Sequence, residues 1–190
     1  MYPKTTMTQA AGKSIKAASK SAPKSTPAAG PAPKGRRIQM RRSGVHGKGV
    51  YALTDFEADE RVIEYTGEVI SWKEALHRHP HDPSDPNHTF YFHIDDQTVI
   101  DGAREGNVAR WINHGCDPNC DTEVIDNRVF VKALRPIVAG EELFYDYRLT
   151  IDERYTPALK KQFECRCGAE TCRHTMLAPK RAPRAAKTRG

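Results

Sequence analysis

Apolar and polar residues alternate with a period near two through most of the middle of the chain. "VYAL" (50–53), "RVIEY" (61–65), "FYFHI" (90–94), "TVIDG" (98–102) and "RVFVKAL" (128–134) are short and rich in β-branched and aromatic residues. Turn-forming Gly, Asp, Asn or Pro separates them, so each reads as a half-buried strand. "TGEVI" (66–70) follows a glycine-containing turn, and Asp95-Asp96-Gln97 separates "FYFHI" from "TVIDG". "TEVI" and "RVFVKAL" flank Asp126-Asn127, a pair suited to a two-residue hairpin turn. "ELFYDY" (142–147) is the last expected strand, with Tyr145 and Tyr147 on one face. Helical spacing is confined to "SWKEALHRH" (71–79), "NVARWI" (107–112) and "PALKKQ" (157–162). The pattern predicts a mainly β domain with short helices and no internal repeat.

The ends of the chain break this pattern. Residues 1–35 are mostly Ala, Lys, Pro, Ser, Thr and Gly, and "APKRAPRAAKTRG" closes the C-terminus. Neither stretch can bury enough apolar surface to offset its ordering entropy, so both are expected to be disordered tails. Charge follows the same division. Residues 1–42 hold ten Lys/Arg and residues 179–190 hold five, with no acid in either. All 24 Asp/Glu lie between them, against 15 Lys/Arg, so an acidic domain sits between two basic tails. The tails suit non-specific attraction to nucleic-acid phosphates, and the acidic domain suits a cationic peptide.

Mean hydropathy is −0.70, and no apolar run is long enough to span a bilayer. The N-terminus has no apolar signal region, so an intracellular protein is expected, in a nucleus or in a bacterial cytoplasm and nucleoid. An organellar transit peptide is the lesser reading of the first residues, because lysine outnumbers arginine and prolines interrupt any amphipathic helix. The His- and Pro-rich stretch 77–88, "HRHPHDPSDPNH", is expected to be an irregular loop rather than a metal site.

Five cysteines without a secretory signal favour metal ligation over disulfides. Cys165, Cys167 and Cys172 form a C-x-C-x4-C cluster, one ligand short of a tetrahedral zinc site. The fourth is Cys116 or Cys120, in "RWINHGCDPNC" (110–120), with His174 an outside candidate. Gly47-x-Gly49, in "VHGKGVYA", permits close backbone approach to a ligand, with Lys48 in reach of an anion.

The order "HGKGVYA", "EYTGEVI", "FYFHIDD", "GNVARWINHGCDPNC", "GEELFYDY", "CRCGAETC" closely resembles the SET-domain protein-lysine methyltransferases that carry a post-SET zinc-binding segment. The resemblance covers about residues 37–175. It implies a β-clip fold of several small sheets with a knot-like crossing. It divides the chain into a tail (1–35), a SET domain (36–150), a post-SET segment (151–178) and a second tail (179–190). It implies S-adenosylmethionine as methyl donor, held by His46, Gly47, Lys48, Gly49, Phe90 or Tyr91, Arg110, Asn113, His114, Tyr147 and Arg166. It implies structural zinc on Cys116, Cys165, Cys167 and Cys172, leaving Cys120 as the odd thiol. Two residues depart from the family's pattern. Phe90 stands where many members have Tyr, so a hydroxyl contact is missing unless Tyr91 supplies it. Gly115 stands where Ser is usual, an exchange expected to be tolerated, with a looser loop as its cost.

The catalytic pair implied by the resemblance is Tyr147, orienting a lysine amine, and Tyr145, restricting it. The expected activity is methylation of a basic protein, histone or histone-like, mainly to the monomethyl state. Lys24 or Lys34 in the N-terminal tail is a candidate self-substrate or plug. The competing reading is a non-catalytic chromatin- or nucleoid-binding module that works through its basic tails.

Overall fold

The computed structural model describes residues 5–7, 35–79 and 89–180. Lys24, Lys34, most of the His- and Pro-rich loop and the last ten residues lie outside these. The described chain forms five small sheets and two short helices.

Antiparallel β2 (Ile38–Arg42) and β3 (Lys48–Ala52) make the first hairpin. A three-stranded sheet follows from β4 (Arg61–Tyr65), β9 (Cys120–Ile125) and β10 (Arg128–Ala133), with β10 central. Its β9–β10 turn has Asp126 and Asn127 at φ 49° and 60°, the left-handed pair that matches strand twist in a two-residue hairpin. Along β10, Val129, Val131 and Ala133 are buried while Arg128 is exposed, the alternation anticipated from the sequence. The third sheet contains β5 (Glu68–Ser71), β6 (Tyr91–His93) and central β7 (Thr98–Asp101).

Ser71 caps α1 (Trp72–Arg78) by accepting the Glu74 N–H at 3.2 Å. Arg78, in the last turn, pairs with Glu68, Glu74 and the fully buried Asp101. That anchors α1 on β5 and β7. The expected helix at 107–112 is one 3₁₀ turn, Val108–Trp111, capped by Asn107, whose Nδ2 also donates to the Glu64 carbonyl at 2.7 Å. α2 (Pro157–Gln162) has Thr156 as its N-cap and proline in its first turn.

The main core joins Val50, Phe56, Ile112, Val129, Ile137 and Leu143, each at most 1% exposed. Each buried side chain of this kind contributes about 1.5–3 kcal/mol, and with Phe92, Ile100 and Tyr145 of the same cluster they draw four of the sheets onto one centre. A second cluster of Leu149, Ile151, Phe163 and Leu177 holds the C-terminal segment.

Three features differ from the sequence expectation. The strand expected over 142–147 shrinks to β11 (Phe144–Tyr145), which pairs in parallel with β8 (Asn113–His114). Asp146 Oδ1 accepts the Arg148 N–H at 3.1 Å, and Arg148 sits at φ 47°. The chain therefore turns between Tyr145 and the next strand, β12 (Leu149–Ile151). Tyr145 and Tyr147 still meet, at 5.0 Å between rings, but through this turn and not through strand periodicity. Secondly, β2, β8 and β12 were not anticipated. Thirdly, the N-terminal tail is not wholly outside the fold, since β1 (Thr5–Met7) pairs antiparallel with β12. Low apolar content limits side-chain burial, whereas an added strand is held by backbone hydrogen bonds.

Candidate active site

A cavity of about 920 Å³ opens between the β2–β3 turn, the 3₁₀ turn, β12 and the C-terminal segment. Gly47 shapes its rim at φ 42°, with open space where a Cβ would stand. The neighbouring Lys48 lays its ammonium 4.2 Å from the centre of the Trp111 ring. Asn113 Nδ2 donates to the Lys48 carbonyl at 2.8 Å and to Glu142 Oε1 at 3.0 Å. It thereby ties the β2–β3 turn to β8. Phe90 packs edge-on against Trp111 at 4.9 Å, and the Arg110 guanidinium lies 5.5 Å from the Phe90 ring. Arg110 Nη1 donates to the Gly102 carbonyl, while its buried Nε has no hydrogen-bond partner among the described residues. Cationic Lys48 and Arg110, an unsatisfied donor and two aromatic faces suit a ligand with a carboxylate and a planar ring, as S-adenosylmethionine has.

Tyr147 lines the cavity and packs against three core aromatics, Tyr65, Phe92 and Tyr145. Tyr147 donates its hydroxyl to the Ile112 carbonyl at 2.7 Å, and Tyr65 donates to the Phe90 carbonyl at 2.7 Å. Phe92 lies between Tyr65, at 5.2 Å, and Tyr145, at 6.3 Å. The Tyr145 hydroxyl has no hydrogen-bond partner among the described residues. Burial drives the pKa of all three phenols upward, and the proximity of Tyr147 adds to this for Tyr65 and Tyr145. They remain protonated at neutral pH and act as hydrogen-bonding groups, not as bases.

His114 joins this aromatic site to the cysteines. Its buried ring lies 5.3 Å from that of Tyr147. Nδ1 accepts the Tyr147 backbone N–H at 3.1 Å, leaving the ring proton on Nε2, 3.4 Å from Cys116 Sγ. Burial pushes the imidazole pKa down to about 4, outweighing Asp146, so the ring is neutral. The 3.5 Å approach of Asp146 to Nδ1 is accordingly not an ion pair. Asp146 instead takes both ends of Arg173, at 2.7 and 2.9 Å.

The sulfur atoms of Cys116, Cys165, Cys167 and Cys172 all lie within 4.8 Å of one another, with Cys116 and Cys165 at 3.7 Å. Tetrahedral zinc with Zn–S of ~2.3 Å requires sulfurs ~3.8 Å apart. The four cysteines could therefore hold a zinc ion, and Cys116 is the fourth thiol. Burial opposes the Cys167 thiolate, yet hydrogen bonds from the Cys116 and Ala169 N–H groups and from neighbouring thiols hold its pKa near 7. Cys120 is fully buried in β9, where desolvation raises its pKa to about 12, and it stands apart from the group. His174 is also outside it.

Most of the sequence-predicted residues meet here. His46, Gly47, Lys48, Phe90, Tyr91 and Arg110 line the cavity, as do Asn113, His114, Tyr147 and Arg166. Gly49 does not. A Cβ there would fall 2.0 Å from Glu142 Oε1, so this glycine admits the carboxylate that holds Asn113 and Tyr51. Tyr91 does not replace the missing Phe90 hydroxyl, because its own hydroxyl donates to the Ala75 carbonyl at 3.1 Å. Gly115 fits its place closely, since a Cβ there would meet Phe144 Cβ at 2.8 Å. Its absence permits the close β8–β11 pairing. Tyr65, Phe92 and Trp111 were missed. Each lies inside one of the ordered motifs, where nothing local separates it from an ordinary core aromatic.

Comparison with known proteins agrees with this geometry. Residues 47–148 match the family described as SET domain. Over 140 residues the chain is 41% identical to histone-lysine N-methyltransferase trithorax of Drosophila melanogaster, covering 72% of this chain and 4% of that protein. It is 39% identical over 136 residues to histone-lysine N-methyltransferase set1 of Dictyostelium discoideum, covering 69% of this chain and 9% of the relative. The chain thus spans a small part of these relatives' length. A solved structure, ctPRC2 in an autoinhibited conformation bound to S-adenosylmethionine, superposes with a TM-score of 0.53 at 33% identity, over 58% of this chain and 15% of that one. With the family matched across more than half of its length, from the Gly47 turn through Tyr147, the chain belongs to the SET-domain family.

Proposed function

We propose that the chain is an S-adenosylmethionine-dependent protein-lysine N-methyltransferase acting on a histone or histone-like protein, mainly as a monomethyltransferase. The observation that carries this reading is Tyr147. Its buried hydroxyl is anchored on the Ile112 carbonyl where the open cavity meets the Tyr65–Phe92–Tyr145 cluster. Residues 36–150 serve as the SET domain and 151–178 as a post-SET segment stapled by zinc on the four cysteines.

The bound donor supplies an electrophilic methyl group on a positively charged sulfur. His46, Gly47, Lys48, Arg110, Asn113, His114 and Arg166 are the residues to hold it. The acceptor lysine enters among the tyrosines. A free lysine has a pKa of ~10.4 and is protonated in water; transfer into this aromatic pocket disfavours the charged form. The proton leaves to water, since the phenols stay protonated and no carboxylate is needed as base. Tyr147 spends its proton on Ile112, so its oxygen accepts from the amine and sets the nitrogen lone pair. Most of the acceleration is positioning.

The monomethyl assignment rests on Tyr145. Its unpartnered hydroxyl accepts a second amine N–H, and its ring, packed on Phe92 and Tyr147, occupies the space a methylated nitrogen would need to rotate. The histone assignment rests on relatives that are histone-lysine N-methyltransferases and on the acidic domain, and it makes chromatin the working location.

The test is transfer of radiolabelled methyl by wild type and Tyr147→Phe, against core histones, a histone-like DNA-binding protein and the enzyme alone. Label on a histone band that disappears with Tyr147→Phe is expected. A wild-type protein that binds donor yet labels none of these refutes the substrate class, and undiminished labelling by Tyr147→Phe refutes the role of Tyr147.

A further inference from the structure

Among the described residues, the N-terminal strand β1 packs on β12 and β6. In β1, Thr5, Thr6 and Met7 stand opposite Ile151, Thr150 and Leu149 of β12. β12 starts two residues after Tyr147, and its Leu149 and Ile151 line the cavity. Its other edge is already taken: the Leu149 N–H donates to Met176 O at 3.2 Å, and the Ala178 N–H donates to Leu149 O at 2.8 Å. Backbone groups of successive strand residues point to opposite edges. The Thr150 groups therefore point away from Met176 and Ala178, to the edge where β1 lies. An edge of this kind accepts an extended peptide by strand addition.

We propose that the chain's own Thr5–Met7 segment is a competitor in cis of the acceptor peptide, held on the free edge of β12 beside the cavity. The proposal rests on the methyltransferase reading above. Residues 5–12 read Thr-Thr-Met-Thr-Gln-Ala-Ala-Gly and hold no lysine, and the register puts Met7 opposite Leu149. The paired residues Thr5–Met7 thus take the place of an acceptor strand while holding no lysine, which makes them an inhibitor in cis. Being part of the same chain, it competes at an effective concentration of about 1 mM. A segment whose free affinity is about 0.1–1 mM then raises the apparent KM for substrate about two- to tenfold.

The test compares the full chain with Thr6→Pro, which removes the N–H at the centre of the β1–β12 ladder. With a histone peptide as substrate, Thr6→Pro is expected to lower KM two- to tenfold with kcat and donor affinity unchanged. A synthetic peptide of residues 1–12 added to the Thr6→Pro protein should restore the higher KM, competitively with substrate. Equal KM for the two proteins, or inhibition that is not competitive, overturns the proposal. A fluorescent 1–12 peptide separates this from failure of the methyltransferase reading. If it binds the Thr6→Pro protein and a peptide with proline at position 6 does not, docking is supported even where no methyl is transferred. If neither peptide binds, the docking proposal fails whatever the activity.

Discussion

Removing the metal from the four-cysteine site should release the C-terminal wall of the cavity while leaving the central sheet folded. The energetics follow from the structure. Ordering roughly 16 residues, 163–178, costs about 1.5 kcal/mol each, or about 24 kcal/mol. The apolar return comes from Phe163, Leu177, Leu149 and Ile151, which form a cluster separate from the main core. At about 1.5–3 kcal/mol per side chain this contributes about 6–12 kcal/mol. The difference, about 12–18 kcal/mol, is close to the ~10–16 kcal/mol of a structural zinc site. Without metal, therefore, the segment cannot stay docked. Phe163, Cys165, Arg166 and Met176 of the cavity lining go with it. Hydrogen exchange before and after chelation is the assay, with metal content checked by emission spectroscopy and donor affinity by calorimetry. Amides of 163–178 should exchange at near-unfolded rates, and donor affinity should fall at least tenfold, about 1.4 kcal/mol. Val129 and Val131 should stay protected. Full protection of 163–178 in metal-free protein would refute the argument, as would collapse of the central sheet along with it.

Further outcomes are expected elsewhere. Arg78→Met leaves the fully buried Asp101 carboxylate without its guanidinium, and urea denaturation should show a loss of about 3–5 kcal/mol; adding Asp101→Asn should recover part of it. Gly49→Ala drives a Cβ into Glu142, displacing the carboxylate from Asn113 and Tyr51. It should cost about 1–3 kcal/mol of stability and weaken donor binding by calorimetry. Tyr145→Phe removes the unpartnered hydroxyl, and mass spectrometry of the product should show a shift from monomethyl toward dimethyl and trimethyl lysine. An unchanged product distribution would end the assignment of Tyr145.

The β9–β10 hairpin was legible because every signal for it is local: alternation on both sides of Asp126-Asn127 and a turn pair that tolerates positive φ. α1 was legible for the same reason, with Ser71 as cap and apolar positions at helical spacing. The two-residue strands β8 and β11 carry no such signal. Their pairing joins positions about thirty residues apart and is stabilised by burial in the main core. Tyr65 escaped notice because nothing in "EYTGEVI" distinguishes a core tyrosine from one whose hydroxyl meets the Phe90 carbonyl.

The chain's pattern alone settled its class, its acidic centre between basic ends, the motif order and the cysteine triad, since composition, periodicity and spacing are properties of short stretches. The choice of Cys116 over Cys120 was resolved when β9 drew Cys120 into the core and left Cys116 beside Cys165. The same holds for the contact between Tyr145 and Tyr147, which a positive-φ Arg148 and its bond to Asp146 created in place of a continuous strand. It holds also for Thr5–Met7, whose pairing with β12 joins backbone far apart in sequence. Each of these depends on groups distant in sequence competing for one small volume, and close packing settles that competition only when the whole chain is folded.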